Sequence, residues 1–399
     1  MSHTDEHSIE SLHDRFTQKF GRSEHATAVF FAPGRVNLIG EYTDFTGGLV
    51  FPCGVDRGTT LLIRPTYNQQ YRFASTNFDL MAQLDQEEIS QTYGDNWINY
   101  PLGILDQFTR RGVELTGFDC LYSGNIPNGA GLSSSASIEV VTAYALNELL
   151  RTELSLLELV RIAQAAENDF VGMQCGIMDQ FAVAFAETDH AIMLDCHSLE
   201  HRQVPLSLEG YSIVVTNTNQ RRELNESAYN DRVRECRRAL ELLAPVTGIS
   251  HLGQLQPDQL SAQEHLFAND AIPLQRARHI AEENRRVRAA VPALIAGDLQ
   301  QFGNMMNESH DSLRDLFEVS SEPLNHLVRL AREQPGVLGS RLTGAGFGGC
   351  TVSLVPDDQV ERFKAMVGPA YTAATGLTAD FYPIAPGNGV GPLTSGDKA

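Results

Sequence analysis

Apolar and polar residues alternate along the chain with two different periods, which predict the helices and the strands. Between residues 8 and 20 the apolar positions recur at the helical spacing, so the sequence predicts a helix that ends at Gly21. The short apolar run 28–32 predicts a strand, which Pro33 and Gly34 would halt. The chain is therefore expected to open with a helix followed by a strand.

The remaining elements follow from the same two periods. Further strands are predicted at residues 59–64, 71–74, 118–123, 191–194, 213–216 and 350–354. Further helices are predicted at residues 99–108, 134–150, 155–170 and 223–243, and then over most of the chain to about residue 334. The helix at 155–170 opens on a capping-box pair, Ser155 and Glu158.

The distribution of these elements predicts an α+β fold with two domains. Strands dominate the early part of the chain and helices the later part. We expect one domain over residues 1–205 and a second over residues 206–399. A length of 399 residues allows two or three domains.

Composition and charge disfavour several classes of protein. No apolar run approaches the ~18–20 residues that span a bilayer, and the polar first ten residues lack the features of a signal peptide. We therefore expect a cytoplasmic protein. A formal net charge of −20 disfavours nucleic acid and anionic membrane as partners. The six cysteines form no C-x-x-C pair, which predicts free thiols rather than a zinc or redox site.

Residues 127–137 have the composition of a phosphate-binding loop. Gly129 and Gly131 allow a ligand to approach the backbone closely, several serines follow, and a predicted helix begins directly after them. The free amides and the positive end of that helix dipole would hold phosphate. The segment matches neither a Walker A loop nor a dinucleotide-binding fingerprint. Taken alone, it fits a serine-rich helix cap equally well.

A second candidate segment, residues 34–44, carries Arg35, Glu41 and Asp44 between glycines. Carboxylates in such a cluster can accept hydrogen bonds from the hydroxyl groups of a polyol. A solvated turn with a surface ion pair explains the same residues, so the segment alone does not distinguish the two interpretations.

Two later segments are also candidates. Asp179 is the one charged residue in the run 174–180. A carboxylate buried there would suit a general base, while an exposed one would suit a helix N-cap. The glycine-rich loop 344–349 fits either a cover over phosphates or a tight turn into the next strand.

Taken in order, the four segments resemble the galactokinase branch of the GHMP kinase family. They are Gly34-Arg-Val-Asn-Leu-Ile-Gly-Glu-Tyr-Thr-Asp44, Gly129-Ala-Gly-Leu-Ser-Ser-Ser-Ala136, Cys175-Gly-Ile-Met-Asp-Gln180 and Gly344-Ala-Gly-Phe-Gly-Gly349. The serine loop marks the superfamily, and the Glu-x-Thr-Asp motif marks the branch. The resemblance implies a ribosomal S5-like N-terminal domain, a ferredoxin-like C-terminal domain and an active site in the cleft between them.

The resemblance also implies a role for each matching residue. Asp179 matches the catalytic aspartate beside the C1 hydroxyl of the sugar, and Arg35 matches the arginine that keeps it ionised and offsets transition-state charge. The substrate-binding matches are Glu41, Tyr42, Thr43, Asp44 and Tyr229. The ATP-binding matches are Gly129, Ala130, Gly131, Leu132, Ser133, Ser134 and Ser135, with Ser75 and Trp97 near the adenine. The matches for ligands of Mg²⁺, which prefers hard oxygen donors, are Ser135 and Glu167.

The reaction that the resemblance implies is transfer of the γ-phosphoryl group of MgATP to the C1 hydroxyl of galactose, as part of galactose catabolism. The products would be galactose 1-phosphate and ADP, and we expect a monomer. As the C1 oxygen attacks in line, Asp179 would either accept the hydroxyl proton or mainly orient the hydroxyl.

One residue departs from the family pattern. The family usually reads Glu-His-Thr-Asp-Tyr where this chain has Glu41-Tyr-Thr-Asp-Phe45, so Tyr42 replaces a sugar-binding histidine. A phenol still donates and accepts a hydrogen bond, but it reaches further. A related sugar 1-kinase for N-acetylgalactosamine or arabinose therefore stays open as an alternative. A non-catalytic sensor of galactose and ATP is disfavoured, because such relatives lack the Ser-Ala pair found here at Ser135 and Ala136.

Overall fold

The structure, a computed structural model, describes residues 8–66, 68–94, 96–127, 131–220 and 225–394. Its strands are β1 (Ala28–Asn37), β2 (Leu49–Val50), β3 (Pro52–Pro65), β4 (Gln70–Ser75), β5 (Met81–Asp85), β6 (Phe118–Gly124), β7 (His190–Asp195), β8 (His201–Pro205), β9 (Tyr211–Asn217), β10 (Gly339–Thr343), β11 (Cys350–Pro356), β12 (Asp380–Ile384) and β13 (Gly391–Pro392). Its α-helices are α1 (Ile9–Phe20), α2 (Asn99–Arg110), α3 (Ser134–Leu150), α4 (Leu156–Ala165), α5 (Met178–Phe185), α6 (Asn225–Thr247), α7 (Pro257–Gln263), α8 (Ala271–Ile295), α9 (Leu299–Asp315), α10 (Glu322–Arg332) and α11 (Val360–Thr375). Three 3-10 turns lie at Leu252–Gln254, Glu264–Phe267 and Asp357–Gln359.

Three sheets organise these elements. The first has six strands in the order β13-β1-β3-β6-β4-β5, and within it only the β4–β6 pair is parallel. The second, β10-β11-β9-β12, and the third, β2-β7-β8, are antiparallel throughout. Helices that cover mostly antiparallel sheets make an α+β fold, as the sequence predicts. The domain boundary at residue 205 stays a prediction, and β13 pairs with β1 although it lies near the end of the chain.

The first helix begins and ends where its local sequence predicts. The hydroxyl of Ser8 accepts a hydrogen bond from the backbone N–H of Ser11 at 3.3 Å, and Gly21 ends the helix with a φ of 77°. The buried face consists of Leu12, Phe16 and Phe20. These side chains pack on the first sheet together with Leu62 and Leu121, so the helical period of the sequence corresponds to one buried face.

The prediction that Pro33 and Gly34 halt the first strand is wrong. β1 continues to Asn37, and its register with β3 shifts between Pro33 and Arg35, so the chain forms a bulge there. A bulge tolerates proline and redirects the following side chains. A Cβ on Gly34 would lie 2.5 Å from the carbonyl oxygen of Leu132, so glycine is required for the serine loop to approach the strand.

The helix predicted at 155–170 is also shorter than expected. Ser155 and Glu158 form the predicted capping box, but α4 ends at Ala165 and a π-helical segment, Ala166–Val171, follows. The wider π turn changes which residues face the neighbouring elements, and such segments are frequent at functional sites. Glu167 lies within this segment and is 4% exposed.

Two predictions from composition can be compared with the structure. All six cysteines lie among the described residues; none forms a disulfide bond there, and four of them are buried. Across the residues that the structure describes, no helix is both long and apolar enough to cross a membrane.

Candidate active site

Arg35 and Asp179 form a bidentate ion pair at the centre of the site. Nε and Nη2 of Arg35 each donate a hydrogen bond of 2.8 Å to the Asp179 carboxylate, and the hydroxyl of Ser133 donates a third at 2.6 Å. Arg35 follows the bulge in β1, Asp179 lies in the first turn of α5, and Ser133 precedes α3 with a φ of 58°. α5 has Ile177 at its N-cap position, so Asp179 is not the cap that the local pattern allowed.

The serine loop is attached to the same arginine. Nη1 of Arg35 donates a hydrogen bond of 2.7 Å to the carbonyl oxygen of Gly131. The backbone N–H of Arg35 donates a hydrogen bond of 3.1 Å to the carbonyl oxygen of Leu132. Leu132 is buried, whereas Gly129 and Ala130 lie outside the described residues. One side chain therefore fixes the aspartate and the start of the loop relative to each other.

The turn after β1 supplies the acidic side chains. Glu41 is buried and accepts a hydrogen bond of 2.6 Å from Nη2 of Arg341 in β10, whose Nη1 donates to the carbonyl oxygen of Asn37 at 2.8 Å. The charge of Arg341 compensates the buried carboxylate, which would otherwise be costly. Arg341 is not among the residues predicted from the sequence. A signal for it is that it is the one charged residue in the segment 339–343, directly before the glycine-rich loop.

A second acidic residue holds the backbone of this turn. Oε1 of Glu283 in α8 accepts hydrogen bonds from the N–H groups of Gly40 at 2.9 Å and Glu41 at 3.2 Å. Burial alone would raise the pKa of Glu283, but the neighbouring charges, that of Arg286 first, lower it to about 2. Glu283 is likewise not predicted from the sequence, because it lies 242 positions from Glu41.

Asp44 lies close to two other carboxylates. Burial, followed by the charges of Asp179 and Glu41, raises the pKa of Asp44 to about 7. Its carboxylate packs directly on Gly176, where a Cβ would lie 2.1 Å from Oδ2. The hydroxyl of Thr43 points into the turn, toward the carbonyl oxygens of Gly40 at 3.0 Å and Leu49 at 2.6 Å. Thr43 is therefore placed to hold the turn rather than to meet a ligand.

These residues surround one small cleft, which we call the sugar cleft. Its lining consists of Arg35, Glu41, Tyr42, Asp44, Met173, Cys175, Gly176, Met178, Asp179, Tyr229, Gly344 and Ala345. Of the predicted substrate-binding residues, all except Thr43 line it. The glycine-rich loop 344–349 also reaches this cleft, through Gly344 and Ala345.

A second cavity of about 650 Å³ has the first turns of α3 in its wall, and we call it the nucleotide cavity because predicted ATP-binding residues line it. It brings together four of them from three separate parts of the sequence: Ser75, Trp97, Ser134 and Ser135. The ring of Trp97 stacks on Phe78 at 6.3 Å between ring centroids and meets the edge of Tyr122 at 5.5 Å. Flat aromatic walls of this kind suit a purine base.

Glu167 and Ser135 have the chemistry that Mg²⁺ requires. Burial, followed by the charge of Asp179, raises the pKa of Glu167 to about 7, and hydrogen bonds from Cys175, Ser135 and Gln180 oppose the rise. A buried carboxylate without a cationic partner in hydrogen-bond contact gains from a divalent ion, and both residues offer oxygen. Among the described residues, no three His, Cys, Asp or Glu side chains cluster as metal ligands. Ser135 and Glu167 would supply two oxygen ligands, which suits an ion that also binds phosphates and water.

Two buried residues next to Glu167 were not found from the sequence. Nε2 of Gln180 donates to Glu167 at 2.6 Å and to Glu139 at 3.1 Å, so a single amide bridges two carboxylates. Burial, followed by the charge of Glu167, raises the pKa of Glu139 well above its usual value. Glu139 lies four positions after Ser135, one helical turn further along α3, which is a signal for it in the sequence.

Comparison with known proteins agrees with this geometry. Three family profiles match: the galactokinase galactose-binding signature at residues 14–65, the GHMP kinases N terminal domain at 99–187 and the GHMP kinases C terminal domain at 290–372. The galactokinase of Enterococcus faecalis is 45% identical over 377 residues, which cover 94% of this chain and 97% of that one.

Solved structures extend the comparison to the fold. A crystal structure of Lactococcus lactis galactokinase complexed with galactose is 41% identical, with a TM-score of 0.93 over 96% of this chain and all of that one. The mevalonate kinase of Methanococcus jannaschii shares the fold at 19% identity, with a TM-score of 0.66 over 92% of this chain and all of that one. The two-domain GHMP kinase fold expected from the sequence is therefore confirmed, and the chain belongs to the galactokinase family of the GHMP kinases.

Proposed function

We propose that the chain transfers the γ-phosphoryl group of MgATP to the C1 hydroxyl of α-D-galactose, giving galactose 1-phosphate and ADP. The observation that carries the proposal is the Arg35–Asp179 pair, which lines the sugar cleft and is hydrogen-bonded to Gly131 and Ser133 of the serine loop. A carboxylate at that point can meet a sugar hydroxyl on one side, while the serine loop holds a phosphate chain on the other.

Asp179 is proposed as the group that accepts or orients the proton of the C1 hydroxyl. The Arg35 guanidinium and the Ser133 hydroxyl donate three hydrogen bonds to it, which hold both carboxylate oxygens in fixed directions. Arg35 also holds the carbonyl of Gly131, so its positive charge stays near the phosphate loop and can offset charge that develops during transfer.

The serine loop and the start of α3 are proposed as the phosphate site. The first amides of a helix have no partner within the helix and favour an anion. Ser135 and Glu167 would hold Mg²⁺ there. When bound, the ion would neutralise charge on the β- and γ-phosphates. Glu167 would then act as a carboxylate, held in orientation by Gln180.

The sugar cleft is proposed to bind galactose through Glu41, Asp44 and Tyr229. Carboxylates accept hydrogen bonds from sugar hydroxyls, and rigid ones distinguish one hydroxyl arrangement from another. Arg341 and Glu283 support this by holding Glu41 and the backbone of its turn. We further propose that the protein acts in the cytoplasm as a monomer, with galactose and ATP as its partners.

A panel of sugars tests the proposal. The purified chain is given excess MgATP with galactose, N-acetylgalactosamine, arabinose or glucose, and the product is identified by NMR. We expect galactose to give the highest kcat/KM and a product phosphorylated at C1. A higher kcat/KM for another sugar would identify that sugar, rather than galactose, as the substrate. Binding of galactose and ATP without transfer would indicate a sensor instead.

The metal assignment has its own test. We expect Glu167→Gln to raise the Mg²⁺ concentration needed for half-maximal rate and to weaken Mn²⁺ binding, measured by EPR with a non-hydrolysable ATP analogue. Galactose binding should be unchanged. Asp169→Asn is the matched control, because Asp169 lies in the same π-helical segment but is exposed. Equal metal dependence in the parent and Glu167→Gln would exclude the role.

A further inference from the structure

Tyr42 connects the sugar cleft to the loop that faces the phosphate site. We propose that the hydrogen bond from the Tyr42 hydroxyl to the carbonyl oxygen of Ala345 couples sugar binding to nucleotide binding. Tyr42 is then a positioning residue. The inference rests on the proposed function, because it assumes that the two cavities hold galactose and ATP.

The conformation of Tyr42 fixes the direction of its side chain. Its backbone lies in the left-handed region with a φ of 65°, which is uncommon for a residue with a large side chain. The ring is buried at 3% exposure and packs on Phe317 at 4.7 Å, Tyr229 at 5.5 Å and Phe45 at 6.2 Å between ring centroids. A ring enclosed by three others cannot change direction without moving them.

The hydroxyl of Tyr42 is directed at the glycine-rich loop. It donates to the carbonyl oxygen of Ala345 at 2.5 Å, across 303 positions of sequence. The resemblance predicts that this side chain binds the sugar in place of a histidine. The phenol has one proton, and that proton is donated to Ala345. A direct donation to the sugar would therefore require the bond to the loop to break.

The glycine-rich loop has little freedom of its own. Gly346 has a φ of 70°, and a Cβ there would lie 2.2 Å from the carbonyl oxygen of Val319. The N–H of Phe347, which also has a positive φ of 54°, donates to the same carbonyl at 2.7 Å. A loop pinned at this end moves mainly at its other end, where Gly344 and Ala345 lie.

That other end lies next to the phosphate loop. A Cβ added to Gly344 would lie 3.5 Å from the carbonyl oxygen of Gly131, so the two residues are close neighbours. The same carbonyl accepts the hydrogen bond from Arg35. A series of neighbouring residues therefore runs from Tyr42 through Ala345 and Gly344 to Gly131, where the nucleotide phosphates are proposed to bind.

These contacts predict positive coupling between the two ligands. A sugar that packs on Tyr42 would strengthen the restraint that its hydrogen bond places on Ala345, and the nucleotide would then bind a loop whose free end is already held. A single hydrogen bond contributes modestly to a free energy, so the change in affinity should be about threefold to tenfold. Thermodynamic linkage requires the nucleotide to tighten galactose binding by the same factor.

The test is calorimetry on the full chain. The affinity for a magnesium complex of a non-hydrolysable ATP analogue is measured without galactose and with saturating galactose, in the parent and in Tyr42→Phe. The matched control is Tyr371→Phe, which removes a buried tyrosine hydroxyl that donates to the backbone carbonyl of Thr218 at 2.9 Å. We expect galactose to tighten nucleotide binding about threefold to tenfold in the parent and in the control.

In Tyr42→Phe we expect that coupling to fall to about twofold or less, while each ligand alone binds within about threefold of the parent. Coupling that survives in Tyr42→Phe would overturn the inference. So would a large loss of galactose affinity with the coupling unchanged, since that pattern identifies a direct sugar ligand. Absence of galactose binding to the parent would instead count against the proposed function.

Discussion

The sugar cleft and the nucleotide cavity differ in the kinds of side chain that form them. The cleft is lined or supported by paired charges, among them the partly buried pair Arg35–Asp179 and the fully buried pair Glu41–Arg341. The described residues that line the cavity include aromatic, hydroxyl and amide side chains but no acidic or basic one. Under the assignment proposed above, the difference teaches how each ligand would be recognised: the hydroxyls of the sugar by directional partners, and the base by its flat face.

The two sites should therefore tolerate change very differently. A buried charge depends on its partner, and removing that partner is costly. An aromatic wall loses affinity only in proportion to the contact area that is removed. Four predictions, from the largest expected effect to the smallest, test this difference.

The largest effect is expected for Asp179→Asn, which removes both charge and basicity. Loss of a positioned general base typically lowers the rate about 10²–10⁴-fold. Turnover and nucleotide affinity should be measured on the same preparation, and nucleotide affinity should be retained. Arg35→Lys should cause a smaller but clear loss, because lysine keeps the charge and loses the planar fork. A variant that keeps more than about a tenth of the parent rate would exclude Asp179 as the base.

The next largest effect is expected for Arg341→Met. This change leaves the Glu41 carboxylate buried without the cation that β10 supplies. Breaking a buried pair in this way lowers the free energy of unfolding by about 3–5 kcal/mol, which urea denaturation measures. Adding Glu41→Gln should restore part of the loss. Arg329→Met, which breaks an exposed pair with Glu333, is the control and should cost about 1 kcal/mol or less. An equal loss of unfolding free energy in Arg341→Met and Arg329→Met would contradict the view that the buried charges of the sugar cleft depend on their partners.

A pH effect is expected on galactose binding without nucleotide. With a pKa of about 7, Asp44 is mostly ionised at pH 8 and mostly protonated at pH 6. Only the carboxylate accepts two hydroxyl hydrogens, so affinity should fall roughly tenfold as the pH drops over that range. Titration calorimetry at several pH values measures the change. Asp44→Asn should bind weakly and without this dependence, and a pH profile like that of the parent would assign the titration to another group.

The smallest effect is expected in the nucleotide cavity. Trp97→Phe keeps an aromatic face but reduces its area, so the affinity for ATP should fall by about 1 kcal/mol, or roughly fivefold. Galactose affinity should not change. Kinetics with ATP as the varied substrate and calorimetry with galactose provide the two measurements. A loss as large as that of Asp179→Asn would remove the contrast between the two sites.

The sequence determined the parts of this protein that depend on neighbouring residues. The capping box at Ser155, the start of α3 at Ser134 and the glycine-rich loop lie where local patterns predict them. The resemblance of four ordered segments was enough to predict the family. Local signals succeed here because caps, turns and helical periods arise from interactions within a few residues.

Only the tertiary structure decided which distant side chains become partners. Arg341 lies 300 positions from Glu41, and Ala345 lies 303 positions from Tyr42. At the bulge in β1, Gly34 lies against Leu132, which is distant in sequence. Because this contact is not visible in the local sequence, Pro33 and Gly34 predict the end of a strand where the structure has a bulge. The local sequence pattern indicates which residues can be buried. The protonation state and the orientation of a buried side chain depend on the residues that pack against it from elsewhere in the chain.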